Sequence, residues 1–137
     1  MSTRNLDPML APASVAVVGA SPNPERLGAL VWRALRAAGF GGPLYPVNPH
    51  HGRLDEHSVY ASIDALPQAP DLALVCTPPE TVPGLVARLG ARGTRAVVVF
   101  GGGFSAEQRQ AMLDAAQPHL LRVLGPESAG LLAPHLG

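Results

Sequence analysis

The stretch VAVVGASPNPERLG, Val15 to Gly28, decides the fold. Four consecutive apolar, mostly β-branched residues run into a glycine, a polar loop with two prolines, and the start of a helical pattern. This is the outline of a strand feeding a phosphate-binding turn. Its glycines do not follow the usual dinucleotide spacing, because Gly19 and Gly28 stand nine positions apart where G-x-G-x-x-G is expected.

The rest of the chain repeats the pattern. The strand covers 14–19 and a helix 25–39, in which Leu27, Leu30, Val31, Ala34, Leu35 and Ala38 recur at three- and four-residue spacing and predict the core-facing side. A second strand is expected over 43–49, followed by a polar loop and then, before residue 70, a short strand with a turn or brief helix. DLALVCTPP, 71–79, is a third strand, and ETVPGLVARLGARG, 80–93, a helix that tolerates Pro83 only in its first turn. TRAVVVFGGG, 94–103, is a fourth strand. A helix from Ser105 opens with a capping-box pattern ending at Gln108, and LLRVLGPES, 120–128, is a last buried strand. Strands alternating with helices predict an α/β class: a Rossmann-like, doubly wound parallel sheet with helices on both faces, in a single domain over 1–137. The tail GLLAPHLG reads as a cut within a longer protein, of which this is the N-terminal part.

Composition agrees. Apolar residues make up 47% of the 137 positions but aromatic ones only 4%, so the core must be Val, Leu and Ala. Ten basic and ten acidic side chains cancel without forming runs, which argues against nucleic acid or an anionic membrane as partner. All ten basic residues are Arg, so lysine chemistry is excluded. The N-terminus carries no signal pattern and no apolar run approaches the roughly 20 residues of a membrane span, so the cytoplasm is the expected location. Cys76, within LALVC, reads as a small buried hydrophobe. GGGFS is not a nucleophile elbow, and His50, His51 and His57 lack metal-ligand spacing, so neither catalytic nor metal-binding residues are assigned. His119 and His135 read as structural or exposed.

Ligands of such sheets bind at the carboxyl ends of the strands. Gly19 permits the tight turn, the helix start offers free N–H donors to an anion, and Ser21 and Asn23 either donate there or cap the helix. A nicotinamide dinucleotide site would also need a carboxylate after the second strand; Val47, Asn48 and Pro49 stand there instead.

Taken in order, VAVVGASPNPERLG, YPVNP, TPPE, GGGFS and LGPESAG resemble the CoA-binding domain of the NDP-forming acyl-CoA synthetases, the group that includes the succinyl-CoA synthetase α subunit. The resemblance runs from about Leu6 to Leu132. It implies coenzyme A, or an acyl-CoA, as the ligand. Gly19, Ala20, Ser21, Arg26, Leu27 and Gly28 would wrap the phosphates, and Asn48 and Pro49 would bound the adenosine. Thr77, Pro78 and Pro79 would line the ligand, Gly103 and Phe104 would flank the pantetheine arm, and a turn at Gly125 and Pro126 would floor the thiol end.

The family's lysines are replaced by Arg26 and by His50, His51 and Arg53, which can pair a phosphate, the histidines best when protonated. Glu127 and Ser128 replace a more usual Asn-Cys or Asn-Ser, placing a carboxylate where anions would be repelled. The implied parent reaction joins an acid, CoA and ATP into acyl-CoA, ADP and phosphate. Its phosphohistidine and ATP-grasp parts match nothing in these residues, so the chain is expected to bind, not catalyse, beside other domains or subunits of a ligase or a fused acetyltransferase. The alternatives are a stand-alone CoA-responsive regulatory module and an NAD(H)-binding redox sensor or oxidoreductase.

Overall fold

The computed structural model describes residues 5–50 and 52–128, with the side chains of Glu127 and Ser128 left aside. The expectations for His51, His135, the tail and the Glu127 carboxylate lie outside this range.

A short helix α1 (Leu6–Leu10) precedes strand β1 (Val15–Val18), whose four residues are all buried. Helix α2 (Leu27–Ala37) follows, then β2 (Leu44–Val47) and two-residue strands β3 (Arg53–Leu54) and β4 (His57–Ser58). The chain continues through β5 (Leu72–Val75), α3 (Val82–Arg92), β6 (Ala96–Phe100), α4 (Ala106–Ala116) and β7 (Arg122–Ser128). Five strands form one parallel sheet in the order β2-β1-β5-β6-β7, while β3 and β4 make a separate antiparallel hairpin. The chain winds outward in one direction from β1 to β2 and in the other from β5 to β7. The carboxyl ends of β1 and β5 therefore diverge into a crevice.

Burial on both faces explains the strands' continuous Val, Ala and Leu content. One face packs α3 and α4 against Val18, Val75, Val97 and Val99 through Val82, Val86, Leu89 and Met112. The other packs α2 against Val17 through Trp32, with Ala20 of the first loop in the same cluster, and α1 against Val15, Leu72, Ala96 and Val98 through Met9. The ring of His119 covers Gly90, where an added Cβ would come within 2.6 Å of it. That histidine is exposed and packs between the last turns of α3 and α4, in keeping with a structural role.

Two expectations need correction. In α2 the buried residues are Gly28, Ala29 and Trp32; Leu27 and Leu30 are exposed at 37% and 53%, and Ala34 and Ala38 are exposed as well. Small residues face the sheet because the helix starts almost in contact with β1. In the last segment, Gly125 and Pro126 form no turn. They lie within β7, joined by a cis peptide, where pairing with β6 slips between Val98 and Phe100. An edge strand tolerates the missing proline N–H there.

The capping box at the head of α4 forms as expected. Ser105 Oγ accepts from the Gln108 N–H at 3.0 Å and the Gln108 side chain accepts from the Ser105 N–H at 2.8 Å.

The hairpin, not foreseen between 50 and 59, is pinned to α2. Asp55 Oδ2 accepts from Trp32 Nε1 at 3.0 Å and from Arg36 Nη1 at 3.2 Å, and His57 meets the Trp32 ring edge-on.

Candidate functional site: a crevice at the switch between β1 and β5

Gly19 turns the chain at the end of β1 with φ +92°, a conformation that side chains disfavour. A Cβ there would also lie 3.0 Å from both the Cys76 carbonyl oxygen and the Thr77 methyl. Gly28, in the first turn of α2, is tighter still: its Cβ would fall 1.8 Å from the Gly19 carbonyl oxygen. The two glycines are thus partners in one contact, which holds the helix start against the strand end. Their nine-residue spacing accommodates a longer loop between the same two contact points.

That loop leaves the helix open. Ser21 Oγ accepts from the Asn23 N–H at 3.1 Å and Asn23 Oδ1 from the Glu25 N–H at 3.0 Å, so both side chains shape the loop and neither caps α2. The N-cap is Arg26, without a side-chain hydrogen bond. The N–H groups of Leu27 and Gly28 have no acceptor among the described residues. By contrast, α4 is closed by its capping box; α3, like α2, has no side-chain cap, since the hydroxyl of its N-cap Thr81 donates to the Pro78 carbonyl at 2.6 Å and shares a hydrogen bond with Thr77 at 2.8 Å, but Pro83 in its first turn has no N–H to offer. The start of α2 keeps two N–H donors and its positive dipole end open to an anion.

Asn48 explains the missing carboxylate. Its Nδ2 donates to the Ala20 carbonyl at 2.9 Å, its backbone N–H donates to the Tyr60 carbonyl at 2.9 Å, and its Oδ1 accepts from the His50 N–H at 2.9 Å. The amide ties the second-strand loop to the first. An aspartate could not donate to Ala20, so the position is fitted to hold the loops together and not to accept from a ribose.

These loops enclose a cavity of about 1000 Å³, at the large end of ligand pockets. Gly19, Ser21, Arg26, Leu27, Gly28, Asn48, Pro49, His50, Thr77, Pro78, Pro79 and Phe104 line it. Ala20 is buried behind it, and Gly101 and Gly102 line it where Gly103 was expected. Gly125 and Pro126 are not among its walls. Arg53 instead borders a second, smaller cavity of about 240 Å³ between the first loop and the hairpin, where Ser21 is shared.

Sequence reasoning missed a whole wall, made by Ala61, Ser62 and Ile63 and by Thr81, Gly84, Leu85 and Arg88 of the α3 side. The spacing of the last four, which share one helical face beside the apolar one, was the available signal.

Cys76 borders the cavity half-buried, and burial pushes its thiol up to about 12. Among the described residues no cluster of His, Cys, Asp or Glu could hold a metal ion, and no helix is long and apolar enough to cross a membrane.

Fold and crevice together define a doubly wound α/β domain with a ligand-sized crevice at its switch point. The chain belongs to the family of CoA-binding domains, whose model matches residues 13–134. It is 36% identical to the ADP-forming acetate–CoA ligase II of Archaeoglobus fulgidus, over 88% of this chain and 19% of that protein. Among solved structures it is similar to PH0766 from Pyrococcus horikoshii OT3, with a TM-score of 0.89 and 28% identity over 96% of this chain and 31% of the other. It also resembles a dinucleotide forming acetyl-coenzyme A synthetase 1 of Ca. Korarchaeum cryptofilum, solved in complex with phosphate and ADP. The TM-score there is 0.85, with 32% identity over 89% of this chain and 27% of that one. The chain therefore corresponds to the CoA-binding part of ADP-forming acyl-CoA synthetases and spans less than a third of the length of each of these relatives.

Proposed function

We propose that the crevice holds coenzyme A or an acyl-CoA, with the diphosphate on the open N-terminus of α2. The observation that carries this reading is the uncapped helix start, pressed to β1 by Gly19 and Gly28 and facing a cavity whose walls, among the described residues, include no carboxylate. The free Leu27 and Gly28 N–H groups would receive the phosphate oxygens, and Arg26 beside them adds a fixed fork of donors. The pantetheine arm would leave along the glycine loop beside Phe104. Within a longer ADP-forming acyl-CoA ligase, the role of these residues is to hold CoA so that its thiol reaches an acyl phosphate presented by another domain or subunit.

Calorimetric titration with CoA, acetyl-CoA, NADH and ATP tests the reading. CoA and acetyl-CoA are expected to bind and NADH to bind far more weakly; tight NADH binding with none of CoA would overturn it. Arg26→Ala should weaken CoA binding about tenfold, the loss of one exposed charge-assisted contact, with Arg26→Lys recovering part of it. An unchanged affinity in Arg26→Ala would remove that side chain from the site.

A further inference from the structure

The cavity does not end at the phosphate loop. It continues along one face of α3, from Thr81 to Arg88, a distance of about 10 Å at the rise of an α-helix. Ser62 and Ile63 form the opposite wall. Two arginines fasten the turn at 62–66 to this helix, and they differ in what they leave over. Arg92 donates from Nη1 to the Ile63 carbonyl at 2.6 Å and from Nη2 to the Leu66 carbonyl at 3.1 Å, and it does not line the cavity. Arg88 donates from Nη2 to Asp64 Oδ2 at 2.6 Å, lines the cavity and keeps 46% of its side chain exposed. A guanidinium carries five N–H donors, so the Asp64 bond leaves others to be used. Asp64 orients the fork, and being 66% exposed its own charge is well screened by solvent.

Two arginines thus line the cavity among the described residues, Arg26 at the start of α2 and Arg88 on α3. Coenzyme A likewise carries two separate anionic groups: the diphosphate, and a monophosphate on the 3′ position of the ribose. Resting on the CoA reading above, we propose that Arg88 receives the 3′-phosphate, with the adenosine lying between the apolar surfaces of Ile63 and Leu85. Arg88 then makes this site specific for CoA over its 3′-dephospho form. A planar fork already held by a carboxylate loses little freedom on pairing with a phosphate.

The experiment is a titration of the chain with CoA and with 3′-dephospho-CoA, in the wild type, Arg88→Gln and Asp64→Asn. The wild type should prefer CoA about tenfold, as expected for one partly exposed charge-assisted pair. Arg88→Gln should weaken CoA about tenfold and leave dephospho-CoA within about twofold, abolishing the preference. Asp64→Asn should keep it.

Equal wild-type affinity for the two compounds overturns the proposal. So does an Arg88→Gln variant that loses both ligands equally, or an Asp64→Asn variant that reproduces Arg88→Gln, since each would mean that Arg88 only clamps the 62–66 turn. A wild type that binds neither compound overturns the CoA reading itself, an outcome distinct from equal binding of both.

Discussion

Alanine at Gly28 is expected to weaken CoA binding about a hundredfold and to lower the thermal midpoint by up to about 7 °C, although alanine is the better helix former by about 1 kcal/mol. The new Cβ would sit 1.8 Å from the Gly19 carbonyl oxygen, 2.7 Å from its carbon and 3.3 Å from the Ala20 Cα, all of them backbone atoms with no rotamer to change. The helix start must withdraw by on the order of 1.5 Å to reach ordinary contact distance. Such overpacking costs about 1–3 kcal/mol, more than the gain in propensity. The same movement carries away the Leu27 and Gly28 N–H groups, and losing two charge-assisted bonds accounts for the hundredfold. Gly84→Ala supplies the contrast, because an added Cβ there meets nothing within 4 Å, so this variant should be at least as stable as the wild type. Titration and thermal unfolding of both variants check the prediction; a Gly28→Ala variant that is stabilised and still binds CoA would refute the close-contact account.

This contact shows why part of the site was hidden from a sequence reading. Apolar runs that end at glycine or proline mark the strands of a parallel sheet clearly, and the α/β fold and its ligand-bearing edge follow from them. The face of α2 does not. Hydrophobic periodicity selects Leu27, Leu30 and Ala34, whereas the helix approaches β1 so closely that Gly28 and Ala29 make the contact and the leucines turn outward. Close packing favours absence of side chain, which a hydrophobicity pattern cannot register. The hairpin at 53–58 was missed for a different reason: its strands have two residues each, too few for alternation to show, and tertiary anchoring through Asp55 and Trp32 holds them. Arg53 leaves the main cavity for the smaller one with that hairpin, while Arg88 enters from a helix that the sequence marked as such without assigning its faces. The family resemblance implied a turn at Gly125 and Pro126, whereas the residues themselves read as a strand, and an edge strand does absorb both through a slip in register.

Cys76 is expected to resist alkylation at pH 8 at least about a hundredfold more than the same thiol in the unfolded chain. Burial at the end of β5 raises it from the 9.0 of an unperturbed thiol to about 12, so the reactive thiolate is rarer by a factor of roughly a thousand at that pH. The sign extends to stability. A thiol raised by folding favours the native state fully below 9.0, and this contribution is lost as pH climbs toward 12. Alkylation by iodoacetamide should accordingly accelerate with pH well beyond the range where a free thiol levels off, and it should become fast in urea. Equal rates for folded and unfolded chains at pH 8 would refute the burial argument. The consequence reaches the proposed chemistry, since Cys76 borders the cavity into which the CoA thiol would extend. Held mostly protonated by burial, it is a poor acceptor of an acyl group near neutral pH, because the thiolate is the nucleophile. In the proposed complex the CoA thiol would therefore meet little competition from Cys76, the single cysteine of the chain.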